Sequence, residues 1–329
     1  MSELQKLKDL SAKIGKNNML VQSSGGNTSL KEGEVIYIKA SGKRLREAKK
    51  SEIFVQIKRN YLQKEFSNKN KSDISLKNKL RPSIETIIHL LLNKKVIIHT
   101  HPIEIIAATL NPKAKDYFKK ILNDLNWSLI PYAAPGKSLS ILISKAQAAT
   151  DPDIYILANH GLIICEETVE RAEVLHDKII SKIKLQKRKL STVNWALLKK
   201  ISSQIPGSFI PNSPVIHSLA IDPWSFNLSC RNPFYPDHLI FCGKNPYIVY
   251  DSKKIELDKL LEEKYLLIKG VGVLLRKNKN EFLEEMLLAQ AEIFRRIPLK
   301  SEVNSLSDQE CEQLSNREDE IYRINLQKK

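Results

Sequence analysis

The sequence predicts an α/β fold. Three observations carry that reading. Apolar strand-like runs alternate with helix-spaced segments through the first half of the chain. At 42% hydrophobic, the 329 residues can bury a substantial core and suit two domains or one large one. The chain is 27% charged, and no run approaches the roughly 20 apolar residues that a membrane-spanning helix needs.

The elements follow in order. MSELQKLKDLSAKIGK reads as an amphipathic helix with Leu4, Leu7, Leu10 and Ile14 at helical spacing. Its charge and lack of an apolar stretch argue against a signal peptide. SSGGNTS (23–29) reads as a Gly-rich loop entering the strand EVIYIKA (34–40). Residues 67–80 are polar and aperiodic and read as an exposed loop. SIETIIHLLLN (83–93) has helical spacing, with Ser83 as N-cap after Pro82. VIIHTHP (96–102) is a buried strand that ends in two histidines, and IEIIAATL continues as a helix. DPDIYILANHG (151–161) reads as a turn, a strand and a loop, with GLIICE as the next strand. ETVERAEVLHDKIISKIKLQKR reads as one long helix, with Val169, Ala172, Leu175, Ile179, Ile183 and Leu185 apolar.

Prolines and a glycine toward the end of 191–214 mark a boundary, so domains are expected at 1–204 and 205–329. The second half echoes the first. KYLLIKGVGVLL (264–275) followed by EFLEEMLLAQAEIFRRI has the layout of IYILANHGLII and its helix, and DHLIFCGK (237–244) echoes VIYIKASGK. As a partial repeat it has lost the chemistry, because Lys269, Gly270 and Val271 stand where Asn159 and His160 would be. The residues from about 300 read as a peripheral helix.

The net charge is +16, yet the lysines are spread over the whole chain. The densest cluster, KIISKIKLQKRKL (178–190), reads as the solvated end of a helix without aromatics to stack bases, and no RNP, KH or helix-turn-helix pattern occurs. Lysine as the default surface residue accounts for the charge, so neither a nucleic-acid nor a membrane partner is expected. Cys165, Cys230, Cys242 and Cys311 form no CxxC pair, which suits a reducing cytoplasm.

Side chains alternate along a strand, so His99 and His101 share a face. At a rise of about 3.3 Å per residue their Cα atoms lie roughly 6.5–7 Å apart, a spacing from which two imidazoles can converge on one cation. His160 in the ANHG loop is a candidate third ligand. Glu85 is a candidate acid/base, although a carboxylate in a first helical turn also suits the helix macrodipole. His89, four residues later on the same helix face, reads as structural or as support for the site. The glycine-rich stretch Gly25, Gly26, Asn27, Thr28 and the KASGK segment (Lys39, Ser41, Gly42, Lys43) can offer N–H groups and cations to an anion.

Taken together, GGNTS (25–29), ASGKRL (40–45), RPSIETIIH (81–89), IIHTHP (97–102), PYAAPG (131–136) and ANHGLI (158–163) resemble the class II aldolase/adducin family over about 20–190. RPSIET, IHTHP and YPDHLIF (235–241) look closest to the aldolase portion of bifunctional rhamnulose-1-phosphate aldolase/alcohol dehydrogenase proteins. The chain has no room for the dehydrogenase domain and no GxGxxG. The resemblance implies a three-layer α/β/α domain around a largely antiparallel sheet, assembled as homo-oligomers (tetramers) with interfacial active sites, and a smaller C-terminal α/β region. It implies His99, His101 and His160 as ligands of Zn2+ or another divalent transition metal, and Glu85 as the catalytic carboxylate. Tyr132 lies near where relatives bring a tyrosine to the site. Gly26, Asn27, Ser41, Gly42 and Ser83 match positions that hold a substrate phosphate. The fuculose-phosphate aldolases have a serine where this chain has Ile84, so one hydroxyl contact is missing, and Lys39 or Arg81 is the candidate replacement.

The implied activity is cleavage of a ketose 1-phosphate, rhamnulose- or fuculose-like, to dihydroxyacetone phosphate and an aldehyde. Alternatives on the same fold are sugar-phosphate dehydration, decarboxylation and epimerisation. The family's epimerases carry Asp where Glu85 stands. Adducin-like scaffolding is the non-catalytic alternative, and the intact three histidines and Glu85 argue against it.

Overall fold

The computed structural model describes residues 1–60, 80–251, 264–276 and 282–326. The loop expected at 67–80 lies, all but Leu80, outside the described residues. The chain forms two compact units. One comprises Met1–Thr109 and Lys113–Lys184, the other Leu110–Pro112 and Leu185–Lys329. Residues 204–214, expected as the boundary, lie inside the second unit, which takes up the chain again from Leu185. Among the described residues no helix is long and apolar enough to cross a membrane.

The first unit is built on a seven-stranded sheet: β1 (Asn27–Glu32), β2 (Val35–Lys39), β3 (Phe54–Lys58), β4 (Val96–Thr100), β5 (Trp127–Ile130), β6 (Ile154–Leu157) and β7 (Gly161–Glu166), in the order β3-β2-β1-β4-β7-β6-β5. Only β5 and β6 run parallel; the other pairs are antiparallel. On one face, α2 (Thr86–Leu91) and α5 (Lys137–Thr150) bury Ile88, Leu139 and Ile143 against Ile97, Tyr155 and Ile163. The other face meets α1 (Glu3–Gly15) and α6 (Val169–Lys182), where Ser11 bonds Thr28 and His176 bonds Thr100. The unit is thus the three-layer α/β/α arrangement with a largely antiparallel sheet.

Local chemistry explains the helix limits. Ser2 caps α1 by accepting from the Gln5 N–H at 3.2 Å, and Leu7, Leu10 and Ile14 are buried. At Gly15 a Cβ would stand 2.3 Å from the Arg46 amide nitrogen, so only glycine lets the helix end approach the 45–46 backbone. Thr168 caps α6, but this helix stops at Lys182 instead of running on to 188. Arg188 is consequently not on a solvated helix end. Its guanidinium donates to Asp222 at 2.7 Å, Ser225 at 2.9 Å and the Phe294 carbonyl at 2.8 Å.

Two readings at the N-terminal side change. The loop at 23–29 is shorter, because β1 begins at Asn27. Its sequence, NTSLKE, has no apolar alternation, yet five of its six residues are buried. Each buried polar side chain has its own partner: Asn27 with Glu85, Thr28 with Ser11, Ser29 with His89, and Lys31 with the Leu92 carbonyl. Ser83 is also not the N-cap of α2. The helix starts at Thr86, and the Ser83 hydroxyl accepts from the Glu85 N–H at 3.3 Å.

The second unit holds β8 (Ser208–Phe209), β9 (Tyr247–Val249), β10 (Tyr265–Ile268) and β11 (Gly272–Arg276), in the order β8-β11-β10-β9. Around them lie α7 (Trp195–Ser203), α8 (Pro214–Ile221), α9 (Pro223–Ser229), α10 (Pro236–Cys242), α11 (Phe282–Arg296), α12 (Asp308–Ser315) and α13 (Glu318–Leu326). DHLIFCGK, expected to echo a strand, is helical. Pro236 opens α10, and all seven of its residues are buried, so the apolar run reflects burial on every side rather than a strand's two faces.

Candidate metal centre

Topology gathers the motifs. β2, β4, β5 and β6 end, and β1, β3 and β7 begin, at one end of the seven-stranded sheet. Segments 23–26, 40–45, 99–102, 131–136 and 158–160 all leave the sheet there. Segment 81–85 joins them through a bridge between Ala40 and Pro82 and a 2.9 Å bond from the Ser41 N–H to the Arg81 carbonyl.

His99, on β4, and His101, just after it, point to the α2 side of the sheet. His160 ends the turn between β6 and β7. The three side chains are buried, their ring centroids lie 4.8–5.1 Å apart, and one nitrogen from each falls within 4.8 Å of the others. His99 Nδ1 lies 2.9 Å from the Leu162 carbonyl, which only accepts, so the proton sits on Nδ1 and the Nε2 lone pair faces the cluster. His99 Nε2 and His101 Nε2 are 3.0 Å apart. Bonds of about 2.0–2.1 Å in a tetrahedral site would set ligand nitrogens about 3.3 Å apart. The donor set therefore fits a divalent transition cation, with the Leu162 carbonyl orienting one ligand.

The turn that carries His160 is tightly specified. Asn159 takes φ +54°, and its N–H donates to Thr109 Oγ1 at 3.1 Å. At Gly161 a Cβ would stand 2.3 Å from the Thr100 carbonyl oxygen. Glycine here lets β7 lie against the histidine strand.

Glu85 completes the cluster. Its Oε2 lies 3.3 Å from His99 Nε2, its Oε1 lies 3.6 Å from His160 Nε2, and Asn27 donates to Oε2 at 2.8 Å. Burial pushes the Glu85 carboxyl up, but the imidazoles of His99, His160 and His101, when protonated, and the Asn27 amide outweigh it and hold it down to about 2. Asn27 also donates to Ser83 Oγ at 3.3 Å. The structure thus brings Asn27, Ser83, Glu85 and the three histidines together. Gly26, at φ +59°, packs where a Cβ would meet the His99 carbonyl at 2.8 Å. Gly42 takes φ +75°, and Ser41 is buried. Lys39 Nζ donates to the carbonyls of Ser24 and Lys43 at 2.7 and 2.8 Å, which ties the two loops together. Tyr132 is half-buried in the segment from β5 to α5. His89 is buried against Ser29 at 2.7 Å, and burial pushes it down to about 3, so it is a neutral brace.

A family profile described as "Class II Aldolase and Adducin N-terminal domain" matches residues 5–179. The chain belongs to the class II aldolase and adducin family. Among its relatives, an L-fuculose phosphate aldolase of Methanocaldococcus jannaschii is 29% identical over 157 residues, which cover 44% of this chain and 73% of that protein. A Bacillus subtilis protein named uncharacterized oxidoreductase YuxG is 32% identical over 189 residues, covering 51% of this chain; the match spans only 27% of that protein's length. The solved N-terminal class II aldolase domain of a conserved Thermoplasma acidophilum protein is 24% identical, covers 55% of this chain and 92% of its own, and superposes with a TM-score of 0.47.

In this member of the family, three contributors escape a reading by motif. Ser24 Oγ is buried with no hydrogen-bond partner among the described residues. Thr109 holds the His160 turn, and His176 grips Thr100 from the far side of β4 at 3.1 Å. Ser24 lies in the quoted loop and could have been named. Thr109 and His176 carry no local pattern.

Proposed function

We propose that the first unit is a metal-dependent aldolase that cleaves a ketose 1-phosphate to dihydroxyacetone phosphate and an aldehyde. One observation carries the reading: a buried carboxylate stands in contact with two of three converging imidazoles, at the sheet end where two glycine-bearing loops meet. His99, His101 and His160 would hold the ion, with zinc as first choice. When bound, a divalent ion supplies Lewis-acid stabilisation of the charge that develops on the ketose oxygens.

The protein's own groups supply the rest. Glu85, kept ionised, takes the proton of the hydroxyl whose carbon leaves as the aldehyde. The electrons of the breaking carbon–carbon bond pass to the carbon next to the ketone. Glu85 then returns the proton to that carbon, so atoms and charge balance. Asn27 holds the carboxylate in place. Gly26, Asn27, Ser41, Gly42 and Ser83 form the phosphate cradle, Lys39 lends it positive charge, and Tyr132 is assigned to the leaving side. A homo-oligomer, tetrameric by preference, and a cytoplasmic setting belong to the same reading.

The test is metal content by mass spectrometry on protein purified without chelator or a polyhistidine tag, together with a screen of ketose 1-phosphates for released dihydroxyacetone phosphate. The expected result is about one ion per chain, lost in a His99→Ala, His101→Ala variant, with cleavage of at least one 6-deoxyketose 1-phosphate. A folded chain that takes up no ion on titration would refute the assignment and favour a scaffold. Bound metal with release of water or carbon dioxide, and no triose phosphate, would move it to a dehydratase or decarboxylase.

A further inference from the structure

Side chains alternate along a strand, so Asn27, Ser29 and Lys31 of β1 share one face. All three are buried. They bond, in order, to three successive points of the segment that carries Glu85. Asn27 Nδ2 donates to Glu85 Oε2 at 2.8 Å. Ser29 Oγ lies 2.7 Å from His89 Nδ1. Lys31 Nζ donates to the Leu92 carbonyl, just past the last turn of α2. Strand and helix thus run side by side in the same direction, joined by three polar rungs.

The two spacings are commensurate. Alternate strand residues lie about 6.6–6.8 Å apart. Along a helix, His89 stands about 6 Å beyond Glu85, and Leu92 about 4.5 Å beyond His89. The first two rungs match, and the long Lys31 side chain takes up the difference at the third. Burial pushes the Lys31 ammonium down to about 8, so it is charged at pH 7 and meets the carbonyl end of the helix.

α2 is poorly able to fix its own position along its axis. It has six residues, too few to be stable alone, and Glu85 at its N-cap position makes no side-chain capping bond. Ile88 and Leu92 pack into the apolar cluster of the unit, but apolar contact is non-directional and permits sliding. The Ala40–Pro82 bridge holds the entry to the segment, upstream of Glu85. Gln147 of α5 bonds the Leu91 carbonyl and the Asn93 N–H, each at 3.2 Å, from a partly exposed position. The rungs from β1 are buried and directional. β1 also pairs with the histidine strand, and Asn27 faces His99 in that register. One strand is therefore the common reference for His99 and for Glu85.

We infer that β1 gauges the axial position of α2, and that Ser29 and Lys31 are positioning residues for Glu85, acting through His89 and the end of the helix. Their effect on turnover rests on the role proposed above for Glu85; the rungs themselves do not.

The test is Ser29→Ala, Lys31→Met in the full-length chain, read by crystal structure and by steady-state kinetics. Methionine keeps the reach of the lysine without its donors. In the expected structure, α2 slides and the Glu85 carboxylate leaves its 3.3 and 3.6 Å contacts with His99 and His160 by more than about 0.5 Å, the tolerance of a preorganised site. The expected loss falls on kcat more than on KM and reaches about 10²-fold, the cost of a displacement near 1 Å. In a Glu85→Gln background, where no base is left to misplace, the same two changes should lower kcat no further. Gln147→Ala, which frees the tie to α5 and leaves the rungs, should keep kcat and the place of Glu85. A Glu85 carboxylate that stays within about 0.5 Å of its native place in the double variant overturns the inference, whether or not the chain cleaves a sugar phosphate. So does native kcat, or the same fractional loss with and without Glu85, which marks a general loss of structure. A displaced Glu85 in a chain that cleaves no ketose 1-phosphate sinks the proposed function and leaves the gauge standing. Should the double variant not fold, Ser29→Ala alone removes the middle rung for the loss of one oxygen, and the same displacement and the same coupling to Glu85 are read.

Discussion

Gly161→Ala tests how closely the candidate metal centre depends on the packing of two strands. A Cβ at this position would lie 2.3 Å from the Thr100 carbonyl oxygen, 3.1 Å from His101 Cδ2 and 3.3 Å from His101 Cα. The first contact is with backbone at the last pair of the β4–β7 ladder, where Thr100 faces Leu162, so no side-chain rotation can relieve it. Relief to an ordinary carbon–oxygen contact needs about 1 Å of separation, whereas metal–ligand distances tolerate only about 0.2 Å. The overpacking should cost about 1–3 kcal/mol of stability. Displacing His101 from His99 and His160 should lower metal affinity by at least tenfold, the low end of what disturbed ligand orientation costs. The assay is competition for zinc against a chromophoric chelator, with thermal unfolding in the presence of chelator as the separate stability readout. Gly33→Ala is the control: its φ of +53° makes alanine strained, but no atom lies within 4 Å, so affinity should hold. Native zinc affinity in Gly161→Ala would refute the claim that this contact sets the site.

Glu85→Gln keeps the shape and removes the base, so turnover should fall by about 10²–10⁴ with metal content unchanged; full activity would remove Glu85 from the mechanism. His238, in α10, is buried with neither ring nitrogen hydrogen-bonded among the described residues, and burial, with Lys264 adding to it, pushes its pKa down to about 3. Its neutral form contributes fully above the ordinary value of 6.5, and that contribution is lost as pH falls from 6.5 toward 3, by up to about 1.4 kcal/mol per unit. His238→Phe should flatten the decline in denaturant midpoint between pH 6.5 and 5, and an unchanged slope would show that His238 is not the group. Arg323 pairs with Asp237 at 2.9 Å and Glu320 at 2.9 Å, all three buried. Arg323→Leu strands two carboxylates and should cost about 3–5 kcal/mol in denaturant unfolding, more than the single change Asp237→Asn. Equal costs would mean that the pairs do not act together.

How much was legible depended on how local the signal was. The histidine strand announces itself because Val96, Ile97 and Ile98 are apolar and His99 and His101 alternate onto one face. The hairpin around Asn159 is legible from IYIL, a turn and GLIICE. β1 is not legible, because NTSLKE buries polar groups against partners as remote in sequence as Ser11, Glu85 and His89. The helix after β7 was read too long because Ile183 and Leu185 continue its spacing. The chain departs from the helix after Lys182, where Arg188 finds its partners in the second unit. DHLIFCGK misled for the related reason that an element buried all round has no periodicity to read.

The sequence by itself determined the fold class, the ligand candidates and the family, since these follow from short-range periodicity and from residue types in order. Only the tertiary structure decided that six segments meet at one sheet end, and that Asn27 secures Glu85 at 2.8 Å. It alone showed that Lys39 ties two loops together. The physical reason is that strand order and register, not spacing along the chain, set which side chains approach within bonding distance. Hydrogen bonds between residues fifty or more positions apart leave no mark in the local pattern that a sequence displays.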